Sequence, residues 1–267
     1  HVHHGLQAAA DHFEAQARAS CAQHQIALHV RHIQAAHRPG QSPEDAARQG
    51  RYSALAAMAL AQGVACVLLG QHADDQVETV LLALSRGAGV PGLAAMPAQF
   101  TRHGVRFDRP LLDLEPQALR AWLVASGHGF AEDPSNTDQR YTRNRIRALL
   151  LPAWQACFPG HRQALARSAR HAAQAQRLLD DLAAMDMAQT GAPPALTPLR
   201  SLRRDRQANL LRYWLLHRHG ARASTAQLDE LLDQVEACAT RGHRIHIKVG
   251  LGFVVRSGER LDYTPPI

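Results

Sequence analysis

Lysine is almost absent from this chain: Lys248 is the single one among 30 basic residues, so arginine carries the positive charge. Cysteine is scarce too. Cys21, Cys66, Cys157 and Cys238 stand far apart and form no CxxC pair, which argues against a zinc or iron–sulfur site and against a disulfide scaffold. No apolar run is long enough to span a bilayer, and no stretch has the make-up of a signal peptide. Together these absences point to a reducing, soluble, cytoplasmic setting. Internal repeats are missing, and so is any GxxxxGK[ST] phosphate loop.

What is present is a chain of 267 residues, enough for one large domain and a small one. Basic residues outnumber the 23 acidic ones, for a formal charge of +7 and a pI of about 9.9. Arginine is the better bidentate phosphate ligand, so the balance points to an anionic partner such as nucleic acid. A codon bias toward Arg and Ala accounts for much of the Arg-for-Lys exchange, but not for the net excess. Seventeen histidines add charge below neutral pH.

The chain is organised around residues 64–87, VACVLLGQHADDQVETVLLALSRG. Residues 64–69 are an unbroken apolar run between Gly63 and Gly70, the pattern of a parallel strand buried on both faces. Val77, Val80, Leu81 and Leu84 then recur at helical spacing up to Gly87. The acids Asp74, Asp75 and Glu78 therefore sit where a parallel strand passes into a helix, the edge at which open α/β sheets bind ligands. Asp75 and Glu78 share a helix face. A helix N-terminus favours each carboxylate by roughly 0.3–1 kcal/mol. Two carboxylates ~4 Å apart repel by ~4 kcal/mol at an effective dielectric near 20. In a cleft the trio calls for a cation, a divalent metal or an ammonium group. On an open surface one acid caps the helix and all three are solvated.

In chain order, residues 11–23 read as a helix with Phe13, Ala17 and Cys21 on one side, and residues 26–32 as a less buried strand. Residues 37–41 form a loop, and Ser42-Pro43-Glu44-Asp45 opens a helix to about residue 62, with Ala47, Leu55 and Met58 inward and Arg48 and Arg51 on another face. Residues 86–96, RGAGVPGLAAM, are a Gly-rich lid or turn and a weak phosphate cradle. Residues 109–112 are extended before a helix over 116–126. Residues 132–147, EDPSNTDQRYTRNRIR, end in a helix carrying Arg140, Arg143, Arg145 and Arg147. These arginines are either a solvated face or, with Tyr141 and Asn144, a grip on a phosphate backbone. A polar, Ala-rich helix over 161–187 connects to a Pro/Gly-rich boundary at 190–198. Beyond it come a helix over 198–218, a second helix capped by Ser224, and three short strands at 245–249, 253–256 and 261–263. This last module holds the basic stretch Arg200, Arg203, Arg204 and Arg206.

The stretches HVHHGL (1–6), EDAARQGRY (44–52), LGQHADDQVETVLL (69–82), RGAGVPGLAAM (86–96), RPLL (109–112) and the 132–147 segment ending in RNRIR follow one another in an order and spacing that resembles the tRNA(Ile)-lysidine synthetases, of the N-type ATP pyrophosphatase superfamily. The resemblance implies an α/β fold. Residues 1–157 would be a Rossmann-like parallel sheet with helices (adenine nucleotide alpha hydrolase-like), 158–192 a helical linker, and 193–267 a small α+β tRNA-binding domain. It implies a ligase that adenylates the wobble cytidine of a CAU-anticodon tRNA(Ile) at the C2 oxygen, using ATP and Mg2+, and lets free L-lysine displace AMP. A homodimer is one option for its assembly.

Carried over residue by residue, the resemblance places lysine at Asp75, Glu78 and, secondarily, Asp74. It gives catalytic roles to Arg51, Asp75 and Arg48. It puts the nucleotide near His3, His4, Gly5 and His72. It puts the tRNA at Arg86, Arg143, Asn144, Arg145 and Arg147, the last four of which would otherwise order the catalytic pocket. No resident metal is assigned; Asp74 is the one carboxylate offered to Mg2+. Two departures stand out. Gln71 replaces a commoner His, and the family's Ser-Gly-Gly-x-Asp-Ser loop is absent from residues 1–267. The expectation is that an N-terminal segment carries this loop and that residues 1–267 alone bind ATP poorly and are inactive. Two alternatives remain: a sister tRNA-modifying pyrophosphatase, disfavoured by the unpaired cysteines, and a non-catalytic tRNA-binding relative.

Overall fold

The computed structural model describes all residues except 4, 6–9, 34–42, 239–242 and 266–267, and for 43–45 the backbone only. The expected loop at 37–41, the Ser42 cap and His4 lie outside the described residues. Two compact units divide the chain, His1–Ala173 and Gln174–Ile267.

The first unit begins with β1 (Val2–His3), α1 (Ala10–Gln23), β2 (Arg31–His32) and α2 (Pro43–Ala61). It continues with β3 (Cys66–Leu68), α3 (Ala73–Ser85), a short α4 (Val90–Leu93), β4 (Gln99–Arg102), β5 (Val105–Asp108) and α5 (Pro116–Ala125). A 3-10 turn (Pro134–Thr137), α6 (Thr142–Arg145), a π-helical turn (Ile146–Leu150) and α7 (Leu151–Cys157) lead into the long α8 (His161–Thr190). β1 and β2 pair in parallel, as do β3 and β5, while β4 is antiparallel to β5.

The β4–β5 hairpin escaped the sequence reading. Its two-residue connection is His103-Gly104, with φ of +50° and +76°, the positive-φ geometry that matches strand twist in tight hairpins. The hairpin places Phe100 opposite Phe107, with ring centroids 5.3 Å apart, and Tyr52 of α2 meets both rings edge-on. Small residues on α2, Ala56 and Ala59, let the helix approach Phe107 and Val105 closely.

The strand expected over 64–69 is shorter and less buried than its apolar run suggests. Leu68 is 67% exposed and Val64 46%. Among the described residues β3 pairs with β5 alone, so one edge has no strand beside it. The strand expected over 26–32 shrinks likewise to Arg31–His32, and Ile26 is exposed.

In the second unit, α9 (Leu196–Ser201) and α10 (Arg204–His219) replace the single helix expected over 198–218. Extended backbone at Leu202 and Arg203 breaks it, and the Gln207 side chain donates to the Leu202 carbonyl at 2.7 Å. α11 (Thr225–Ala237) starts at a capping box in which the Ser224 and Gln227 side chains bond each other's backbone N–H. β6 (His246–Val249), β7 (Gly252–Ser257) and β8 (Arg260–Thr264) form an antiparallel meander. Leu199, Leu210, Leu211, Trp214, Leu228 and Leu231 bury against it. Gly252 is required there: a Cβ would lie 2.3 Å from the Thr264 carbonyl oxygen and 2.7 Å from the Tyr263 ring. The basic stretch of this unit is spent internally. Arg200 donates to the Cys238 carbonyl, Arg203 pairs with Asp205, Arg204 with Asp233 and Arg206 with the buried Asp186.

No helix among the described residues is long and apolar enough to cross a membrane.

Candidate functional site: an acidic helix start closed by arginines

The β3–α3 junction forms as its sequence implies. α3 begins at Ala73 behind His72, whose backbone N–H donates to Asp75 Oδ2 at 3.0 Å. The apolar face of α3, Val77 and Leu81, packs on Leu151 of α7, with Ile146, Trp154 and Leu165 at its margin. That packing brings the 143–162 segment over the acidic trio.

The cation that the corner calls for comes from the chain itself. Arg147 Nη2 donates to Asp75 Oδ1 and to Glu78 Oε2, both at 3.1 Å, and its Nε donates to Glu78 Oε1. Arg143 Nη1 lies 3.9 Å from Glu78 Oε2. Arg162 grips Asp74 through Nε and, at 3.3 Å, Nη2, with Glu115 3.9 Å away. Glu78 is fully buried. Burial holds its carboxyl above the ordinary Glu range; Arg147 pulls it down and the charge of Asp75 pushes it up. Burial lowers the Arg147 guanidinium, but its bonds to Glu78 and the charges of Glu78 and Asp75 outweigh that and raise it.

The expected site residues therefore separate into groups. Asp74, Asp75, Glu78, His72, Arg143 and Arg147 come together. Asp74 has both oxygens on Arg162, a poor posture for the Mg2+ suggested for it. Asp75 accepts one of the bonds above at each oxygen, has His72 Nδ1 3.5 Å from Oδ2, and is 15% exposed, as is Asp74. Asn144 faces inward, donating to the Ser135 and Asp138 carbonyls at 2.7 and 2.8 Å, and so braces the 132–140 loop. Arg145 and Arg86 are exposed, Arg145 on its own loop's carbonyls and Arg86 at the end of α3. Arg48 and Arg51 sit on the exposed side of α2. His3 lies in β1 against Asp11 and His32, in a different cluster, and Gly5 follows it with φ +65°.

Two residues that the sequence reading passed over organise the corner. Arg162 is one. Arg109 is the other: it is buried, donates to Gln71 Oε1 at 3.0 Å, the Pro97 carbonyl at 2.6 Å and Tyr52 Oη at 3.3 Å, and lies 4.5 Å over the Phe100 ring. It thereby links α2 to the residue preceding His72. Its only sequence signal was its place in RPLL. The Gly-rich 86–96 segment, read as a lid or turn, is held in place. Gln76 of α3 exchanges two 3.0 Å bonds with the backbone of Met96.

Comparison with known proteins gives these features a context. A family model described as the PP-loop domain matches residues 1–154, and one described as the TilS substrate binding domain matches residues 195–261. The tRNA(Ile)-lysidine synthase of Polaromonas naphthalenivorans (strain CJ2) is 58% identical over 264 residues, which cover 99% of this chain and 80% of that protein. The tRNA(Ile)-lysidine synthase of Burkholderia mallei is 44% identical over 262 residues, 92% of this chain, which spans about half (52%) of that protein's length. Among solved structures, the U34-tRNA thiolase NcsA from Methanococcus maripaludis with its [4Fe-4S] cluster aligns with a TM-score of 0.51 at 14% identity, covering 64% of this chain and 60% of that one, a likeness of fold alone.

Proposed function

The chain belongs to the tRNA(Ile)-lysidine synthase family, and from that premise we propose that it takes part in making lysidine at the wobble cytidine of a CAU-anticodon tRNA(Ile). The observation that carries this reading is the 58% identity running over nearly the whole chain, with the PP-loop and TilS matches falling in sequence along it. In this reaction the cytidine C2 oxygen attacks the α-phosphorus of ATP and pyrophosphate leaves. The lysine ε-amine then forms a bond to C2, loses a proton, and AMP departs with the oxygen. Mg2+ would accompany the nucleotide phosphates.

Within this reading Asp75 is the carboxylate that meets the lysine ammonium: its oxygens accept from two separate donors, Arg147 and the His72 backbone, whereas both oxygens of Asp74 face the one Arg162 guanidinium and Glu78 is fully buried. Glu78 and Asp74 act through Arg147 and Arg162 as positioning residues that fix the start of α3. Arg51, exposed on α2, stabilises charge developing on phosphate, with Arg48 one turn before it. His72 stands at the same helix start. Arg86 and Arg145 hold tRNA phosphates.

A second reading follows from the pairing of all three acids with arginines: the trio is an internal scaffold, and lysine binds elsewhere. The variant D75N separates the two. If Asp75 holds the ammonium, the KM for lysine rises at least about tenfold, the loss of roughly 1.4 kcal/mol of binding, while tRNA affinity stays unchanged. Equal losses in lysine and tRNA binding would favour the scaffold.

A further inference from the structure

We infer that His3, His32 and Glu14, with Asp11 beside His3, form a binding site for a divalent transition metal of the zinc class, separate from the acidic corner. The backbone sets it up. His3 and His32 are register partners in the parallel β1–β2 pair, so both imidazoles leave the same face, stacked with centroids 4.5 Å apart and an interplanar angle of 21°. Asp11 and Glu14 lie three apart on α1 and so share one side of that helix. Asp11 Oδ1 is 3.0 Å from His3 Nε2, and Glu14 Oε2 is 3.1 Å from His32 Nε2. Each imidazole thus presents the same nitrogen to a carboxylate. The donor atoms of His3, Glu14 and His32 all fall within 4.8 Å of one another.

A tetrahedral ion with bonds of ~2.0–2.1 Å needs donors about 3.4 Å apart, a closure that side-chain rotation supplies. The outer shell is in place too. Arg18 donates to Glu14 Oε1 at 2.9 and 2.7 Å, fixing the carboxylate and leaving Oε2 turned toward the histidines. His32 and Asp11 are exposed, which leaves an entry path, while His3 is nearly covered.

The donor chemistry selects the ion. Two imidazoles with carboxylates suit Zn2+, Co2+, Ni2+ or Cu2+; Mg2+ takes oxygen and water. The site is therefore not one for the metal of ATP, and His3 in it faces metal rather than nucleotide. Its structural consequence is direct: a pair of two-residue strands is marginal by itself, and an ion would tie both strands to α1. The inference does not depend on the reaction proposed above.

The test is titration of the chelator-treated chain with Co2+, followed by its visible d–d absorption and by equilibrium dialysis. One four-coordinate equivalent per chain is expected, displaced by Zn2+ but not by excess Mg2+. H32N, at a position 65% exposed, should keep the parent circular dichroism and lose about 100-fold in affinity; E14Q should lose about 10-fold or more. H103N, on the exposed hairpin turn, serves as the control and should titrate like the parent. Absent d–d bands, or an H32N titration that overlays the parent, would overturn the site.

Discussion

Replacing Arg147 with methionine removes the guanidinium that closes the acidic corner and keeps a side chain of similar reach. Glu78 is then fully buried, and among the described residues Arg143, 3.9 Å away, is the cation left to it. Breaking a buried pair by removing one partner costs about 3–5 kcal/mol. The lower end applies here, because the Arg147 side chain is 35% exposed and Arg143 remains. About 3 kcal/mol corresponds to a fall in Tm of roughly 6–12 °C for a unit of this size. The loss must also depend on pH. Glu78 already titrates above its unfolded value of 4.5 because of burial, and Arg147 pulls against that shift. Without Arg147 the folded value climbs further. A carboxyl raised in the folded state favours folding below its unfolded value and loses that contribution as pH rises through the folded value. R147M should therefore differ little from the parent near pH 4.5 and fall short of it increasingly toward pH 8. Paired thermal melts of variant and parent at each pH measure this. A deficit independent of pH, or none at pH 8, would refute the burial argument.

Gly252→Ala should cost about 1–3 kcal/mol, read by urea denaturation, since its Cβ collides with the Thr264 backbone and forces β7 and β8 apart; an unchanged midpoint would mean the strands yield freely. R86A and R145A, both at exposed positions, should each lower the slope of log K against log salt for tRNA binding by about one, with no effect on folding. A slope equal to the parent's would remove that residue from the phosphate contacts.

The elements most legible in the sequence were those whose periodicity is local. α3 and α11 follow from apolar spacing, with Ser224 marking the start of the latter, and the C-terminal meander from short apolar runs between glycines. The burial of β3 was misjudged because an apolar run announces two neighbouring strands, and the described residues supply one. The β4–β5 hairpin is not marked in the sequence because its turn is His103-Gly104 rather than the Asn-Gly or Asp-Gly pair that signals such turns. The acidic trio could be located from sequence, but not its partners. Arg147 is 69 residues from Glu78 and Arg162 is 88 from Asp74, and no spacing rule reaches that far. The arginine run 140–147 was open between solvated face, phosphate grip and pocket brace, and the structure divides it. Arg147 and Asn144 turn inward, while Arg140 and Arg145 stay exposed. The Arg109 hub depends on four separate segments meeting, which a linear reading of RPLL does not contain.

The reaction itself is open to direct measurement. The protein expressed from its complete reading frame is incubated with ATP, L-lysine and CAU-anticodon tRNA(Ile), and the tRNA is digested and its nucleosides are weighed by mass spectrometry. A lysine-bearing cytidine that requires both ATP and lysine, and is strongly reduced at low lysine in D75N, is the expected product. Tight tRNA binding with unmodified cytidine throughout would contradict the proposed reaction.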